Sequence, residues 1–427
     1  MALNLPPLLH AVDEVERAVA GNVRRSVNVL LCLVAVATIG WSGTLLWQNW
    51  KGRQQIDEAC AGLVPAGRVL ALSPAGGTIS HREVDEETIE LDAGLPQYCD
   101  LLSTEAAEGY DMSTGGRRFF TGGVGVLPSN EPVTPDSPGD NLVNRRDPTY
   151  PYGPLGGGIA GIVLATGVIV ELPCTQGTSN GRPITALWAR AELKDPRPQF
   201  TDGGQLTSRD RNTLAEIAVI TANNLAERLG CTERLPDPPE DIPALAPGPT
   251  PAAGADGTCA WYRKAGFARH KHLPDQVLES RADDKMWDER CGLVVSRTRA
   301  DDLWWSDAAE RDYTDRIDRP SDPGEWFVSL HTYSGEMAKN IHLKTPYAEP
   351  PVVAEPGKAG RSDTSVWWAS SRCDGKPQIH TMTIASGYDE LMRSALEKVF
   401  RAYVIDVVAR RGCTDTTFPD SSTFRAD

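Results

Sequence analysis

Positive charge is in short supply. Against 58 Asp and Glu the chain sets only 43 Lys and Arg, a net charge of −15 at pH 7. A surface of that sign repels nucleic-acid phosphates and offers no large polybasic face to anionic lipid. Zinc spacing is missing as well, since none of the nine cysteines falls in a CxxC or Cys/His pattern. Around Asp301, Asp302 and Asp307 there is no EF-hand spacing, so those carboxylates read as a solvated face rather than a calcium site. Charge is also absent from Ser26 to Trp47, and that absence shapes the next inference.

Those 22 positions would make roughly 33 Å of helix, enough to cross a hydrocarbon core of about 30 Å. The expectation is a transmembrane helix over 26–47, a signal anchor that touches the lipid bilayer. A signal-peptidase site at Ala35-Val36-Ala37 is disfavoured because apolar residues continue beyond it, and Leu31 before Cys32 spoils a lipoprotein signal. Flanking charges, Arg17, Arg24 and Arg25 against Lys51 and Arg53, barely decide orientation. Cysteine usage does. Eight cysteines follow the span, an even number that suits an oxidising compartment. The amino terminus is then expected in the cytoplasm and the body outside the plasma membrane. Before the span, Leu8, Leu9, Val12, Val15 and Val19 keep helical spacing, so residues 1–25 read as a short amphipathic cytoplasmic tail.

Beyond the span the cysteines recur in similar company. Ala59-Cys60-Ala61 resembles Thr258-Cys259-Ala260, and Tyr98-Cys99-Asp100-Leu101 resembles Arg290-Cys291-Gly292-Leu293. Cys174 and Cys373 each precede a turn, a basic-Pro pair and an alternating strand. Gly230-Cys231-Thr232 and Gly412-Cys413-Thr414 each close a helix with one apolar face: Leu214, Ile217, Ala218 and Leu225 in one, Leu396, Val399, Tyr403 and Val407 in the other. Gly230 and Gly412 stand where a left-handed residue ends a helix. The expected fold class is α+β: after the transmembrane helix, two tandem copies of a disulfide-bearing domain, each an antiparallel sheet closed by a C-terminal helix. The expected bounds are 51–234 and 258–420, with a Pro-rich linker over 235–257 as a semi-rigid spacer. Gly122 to Gly158 and Arg297 to Gly324 read as long surface loops. Four cysteines in each copy allow three pairings. The order of elements favours Cys60 with Cys99, Cys174 with Cys231, Cys259 with Cys291 and Cys373 with Cys413, each closed loop contributing roughly 3 to 4 kcal/mol.

Two motifs mimic catalytic signatures. Gly156 to Gly161 matches GxGxxG, but neither the strand before it nor the helix after it that would receive a pyrophosphate is in the pattern. The following run, Ile162 to Val170, reads as a buried strand. Gly177-Thr178-Ser179-Asn180-Gly181 matches GxSxG, yet it lies between two strands and carries Asn-Gly hairpin chemistry. Five of the seven histidines, His270, His272, His331, His342 and His380, fall late in the chain. His270 and His272 could offer imidazoles to a metal, and His331 and His380 sit on strand-like segments that could converge. Without a matching carboxylate arrangement they read as structural. Trp304-Trp305 and Trp367-Trp368 read as packing groups.

In layout and composition the chain resembles the uncharacterised exported single-pass membrane proteins of high-GC actinobacteria, with an Arg-ended tail, one anchor and paired cysteines in a Pro/Asp/Gly-rich body. The resemblance implies an envelope location and carries over no catalytic, cofactor-binding or metal residue. The functional expectation is a membrane-anchored, non-catalytic binding or structural component of the cell envelope, with an envelope protein or cell-wall partner, no nucleic acid and no cofactor. The alternative is an exported hydrolase or metal-dependent enzyme with its site in residues 258–420.

Overall fold

A computed structural model describes residues 28–34, 36, 38, 44, 46–82, 87–91, 94–107, 116–128, 133–143, 149–194, 196–308, 320, 324–343, 352–362 and 366–424. The cytoplasmic tail expected over 1–25 lies outside them, as do parts of both expected surface loops. Contacts divide the chain into Met1–Gln54 and Gln55–Asp427.

Among the described residues no helix is long and apolar enough to cross a membrane. The transmembrane helix expected over 26–47 is corrected accordingly, and with it the signal anchor and the single-pass plasma-membrane location with a cytoplasmic amino terminus. Within that stretch 28–34 are continuously helical. From 46 the described helix runs through Lys51, Arg53, Asp57 and Glu58 to 59. That later described run, 46–59, thus carries charge that a hydrocarbon core would not accept.

In Gln55–Asp427 the strands follow the alternation of their side chains. The earlier part supplies β1 (Ile79–Ser80), β2 (Gln97–Ser103), β3 (Arg117–Leu127), β4 (Gly153–Pro154), β5 (Gly161–Val163) and β6 (Gly167–Pro173). The hairpin β7 (Thr178–Ser179) and β8 (Arg182–Pro183), then β9 (Ala186–Leu193) and the short pair β10 (Thr201–Asp202) and β11 (Gln205–Leu206) follow. The seven-stranded sheet runs in the order β1-β2-β3-β9-β6-β5-β4, every neighbour antiparallel. On β9, Leu187, Ala189, Ala191 and Leu193 face helix α1 (Ser208–Arg228), burying Leu214, Ile217, Ala218 and Leu225 against them. Thr207 caps that helix by accepting from the Asp210 N–H at 3.1 Å, and Gly230 leaves it at φ 76°.

The later part forms an eight-stranded sheet from β12 (Thr250–Pro251), β13 (Gln276–Leu278), β14 (Asp288–Val294) and β15 (Phe327–Ser334), then β18 (Gly360–Arg361), β19 (Val366–Cys373), β20 (Lys376–Ile384) and β21 (Thr414–Thr417). Between β15 and β18 lies a separate pair, β16 (His342–Leu343) and β17 (Val352–Val353). Helices α2 (Ala260–Lys264), α3 (Arg297–Ala308) and α4 (Leu396–Arg411) stand with this sheet; Leu293, Leu330, Trp367 and Met382 pack with Val399, Tyr403 and Val407 of α4. Gly412 ends α4 at φ 63°.

The uncovered faces of the two sheets meet each other. Leu127, Ile162 and Trp188 from the first join Trp287, Tyr333, Trp368 and Ile379 of the second in one buried cluster. The layers are helix, sheet, sheet, helix. Gly125 belongs to this middle layer: a Cβ there would sit 2.3 Å from the Trp188 indole, so the missing side chain is what admits the ring.

The two tandem copies are corrected as well. Gln55–Asp427 is a single compact unit, and among the described residues its two large sheets have seven and eight strands and no repeat is shown. One physical reason is a strap, Val133–Val143, that leaves the earlier cysteine set and packs into the later core. Val133 bridges Ile341, the Leu142 N–H donates to the Gly324 carbonyl, and Leu142 is buried in the second core. The Pro-rich stretch also makes contacts of its own with the first core. Ile242 and Leu245 are buried in the first core, Arg211 Nε donates to the Ile242 carbonyl at 2.8 Å, and Asn223 brackets Leu235. Pro154 and Pro251 stand on the outermost strands, where a missing N–H discourages pairing with another chain.

The bonds are Cys60–Cys99, Cys174–Cys231, Cys259–Cys291 and Cys373–Cys413, with Cα atoms 5.3, 5.2, 5.2 and 4.1 Å apart. Cys32 is free and exposed.

Candidate functional site

Polar residues face the middle layer at every second position of β15: Ser329, His331, Tyr333. Their neighbours on β14, Asp288 and Arg290, point the same way because they too alternate with core residues, Cys291 and Leu293. The strap lays Asp136 over them. His331 Nδ1 lies 2.8 Å from Asp288 Oδ1, and its Nε2 lies 3.0 Å from Asp136 Oδ2 and 3.2 Å from Ser329 Oγ. Arg290 Nη2 reaches Asp136 Oδ2 at 2.7 Å, and the Ser329 hydroxyl donates to the same carboxylate. Tyr333 stacks on the imidazole with planes 7° apart, while Arg290 stands 5.7 Å over the Tyr152 ring.

Serine, histidine and aspartate in this order are the parts of a nucleophilic triad. The electrostatics give them another task. Burial works against a charged His331, but the Asp288 carboxylate and the hydrogen bond to Asp136 outweigh it and hold the imidazole up at about 9. Asp136 is pushed up by burial and pulled further down by Arg290 and His331, leaving it well below the usual carboxylate range. An imidazolium donating from both nitrogens cannot take a proton from Ser329. The serine is fully buried, and its strand pairs with β14 on one side and β20 on the other, so the ladder consumes the N–H groups an oxyanion hole would need. The cluster therefore holds the strap to the sheet through charge.

The other expected positions separate. His380 is adjacent to Thr332 in register but on the opposite face of the sheet from His331. It contacts Ser371 Oγ and Thr332 Oγ1, each at 2.9 Å, and Thr332 reaches the Tyr403 hydroxyl on α4. Burial and nearby Arg411 lower it to about 3, so it stays neutral. His270 and His272 have ring centres 5.8 Å apart on the surface, and His342 lies on β16. Among the described residues no group of three His, Cys, Asp or Glu could hold a metal. Gly156 to Gly161 leads into β5 and not a helix. Asn180 and Gly181, at φ 50° and 72°, turn the β7–β8 hairpin. Trp367 stacks on Phe424 in the core, Trp368 lies in the middle layer, and Trp305 is exposed beside Trp304. The eight disulfide cysteines are structural, with six of them in the two helix-facing cores.

Asp136, Asp288, Arg290 and Ser329 escaped sequence reasoning. Asp136 lies in a Pro/Gly/Asn/Asp-rich stretch that looks like solvent-facing loop; the alternation of Ser329, His331 and Tyr333 within an apolar strand was the one usable signal. Elsewhere, a cleft of about 790 Å³ opens between β4, the Pro-rich stretch and β12, lined by Pro154, Val163, Leu245, Pro251, Glu279 and Arg281 among others. Glu279 is occupied there, accepting from the N–H groups of Asp256, Gly257 and Cys259. No protein-family model, curated protein or solved structure matches the chain.

Proposed function

We propose that this chain is a non-catalytic binding or structural protein of an oxidising compartment, with an envelope protein or cell-wall polymer as its partner. The observation that carries the reading is the saturation of its most enzyme-like cluster: Asp136 occupies both the serine and the imidazole, and His331 is held in its charged form. Four disulfides support the compartment, because such bonds persist where thiols are not kept reduced. A framework protein gains from a locked middle layer; a hydrolase would need that serine open to substrate.

The test treats the full chain with a fluorophosphonate probe and with ester, peptide and glycoside substrates, and separately sediments it with purified cell-wall polymer or crosslinks it to envelope proteins. Saturable association without labelling is expected. Labelling at Ser329 that disappears in His331→Gln would overturn the reading in favour of a hydrolase.

A further inference from the structure

Glu171 lies on β6, on the face turned from α1 toward the second sheet, and only 5% of it is exposed. Its Oε1 lies against the turn after β15, 3.1 Å from where a Cβ on Gly335 would stand. Gly335 has φ +70°, so this close approach uses both freedoms of glycine. Oε2 is buried and has no hydrogen-bond partner. An ionised carboxylate with an unsatisfied buried oxygen is costly, whereas the protonated form is tolerated.

The surrounding charges do not compensate it. From the turn, the Glu336 backbone N–H donates to Glu171, but the Glu336 carboxylate repels it. Lys339 places Nζ 2.7 Å from each oxygen of Glu336 and is engaged there. Lys376, at the start of β20, is exposed to solvent. On β9, Trp188 is the register partner of Glu171, and Arg190, two residues on, is paired with Glu192. Thr185 hydrogen-bonds Glu336 rather than Glu171.

We propose that Glu171 is a proton-operated clasp between the two sheets: protonated, it closes β6 against the Gly335–Lys339 turn, and ionised, it releases that turn. Burial first, with the Glu336 carboxylate adding to it and the Glu336 N–H opposing it, lifts the carboxyl to about 7, which puts the release near neutrality. The moving part is small, a turn and one short 3-10 segment, Met337–Lys339, and its release lifts Met337 and Ala338 out of the middle layer while both large sheets keep their ladders.

Hydrogen exchange of the Gly335–Lys339 amides in the full chain, corrected for the intrinsic pH effect, tests this at pH 5.5 and 8.5. The native protein is expected to lose at least tenfold in protection at the higher pH, and Glu171→Gln, neutral at both, to keep its protection. Equal loss in both proteins, or no loss in the native one, overturns the clasp. Should the variant fail to fold, carboxyl carbon-13 titration of the native protein decides: a Glu resonance titrating near 7 supports the proposal, and none above about 6 refutes it.

Discussion

Asp136→Asn is the sharpest probe of the strap. The substitution keeps the shape of the side chain and removes its charge, so Arg290 and His331, 9% and 3% exposed, are left to share Asp288. Asp136 accepts from Arg290 at 2.7 Å and from His331 at 3.0 Å. Removing one member of a buried charge set costs about 3 to 5 kcal/mol, most of it from the partners left uncompensated. For a body of this size that corresponds to roughly 5 °C in melting temperature. Calorimetry of the oxidised full chain at pH 6.5 reads the shift, and hydrogen exchange over 133–143 reads its location. The Thr383 hydroxyl, which donates to the Asp136 backbone carbonyl at 2.9 Å, survives the change, so the strap should loosen rather than vanish. A shift below about 1 °C with unchanged exchange over the strap would refute the claim that charge holds it.

Three further outcomes follow from the same geometry. Because His331 titrates at about 9 in the folded chain and ordinarily at 6.5, its charge stabilises fully below pH 6.5, and that contribution is lost as pH rises through about 9; the gap is worth roughly 3 kcal/mol, and urea midpoints should fall across that window in the native protein but not in His331→Gln. Replacing Cys174 and Cys231 together by Ala, which opens a loop with a sequence separation of 57, should cost roughly 4 kcal/mol in urea unfolding. Gly125→Ala drives a methyl into the Trp188 ring and should cost about 1 to 3 kcal/mol while altering near-ultraviolet circular dichroism, the signature of a displaced indole.

Local chemistry explains which parts could be read in advance. Asn180-Gly181 and Asp374-Gly375 announce hairpins because both residues of each pair must adopt positive φ, and all four do. Gly230 and Gly412 mark helix ends for the same conformational reason. Helix α4 was legible from Leu396, Val399, Tyr403 and Val407 at helical spacing. By contrast, apolarity alone over 26–47 suggested a membrane helix, although no helix among the described residues has the necessary length and apolarity. Hydropathy records how a residue partitions, not how long a continuous helix it belongs to.

The sequence by itself determined the α+β class, the hairpins, the helix ends and the cysteine set, because backbone preference and periodicity act over a few residues. Only the tertiary structure decided that the strap enters the later core, that Ile242 and Leu245 bury the Pro-rich stretch against α1, and that the two sheets share a layer. It alone placed Asp136 beside Arg290 and His331, 154 and 195 positions away in sequence, and put His331 and His380 on opposite faces of one sheet. Those pairings depend on how distant segments exclude water together, and no local pattern encodes that.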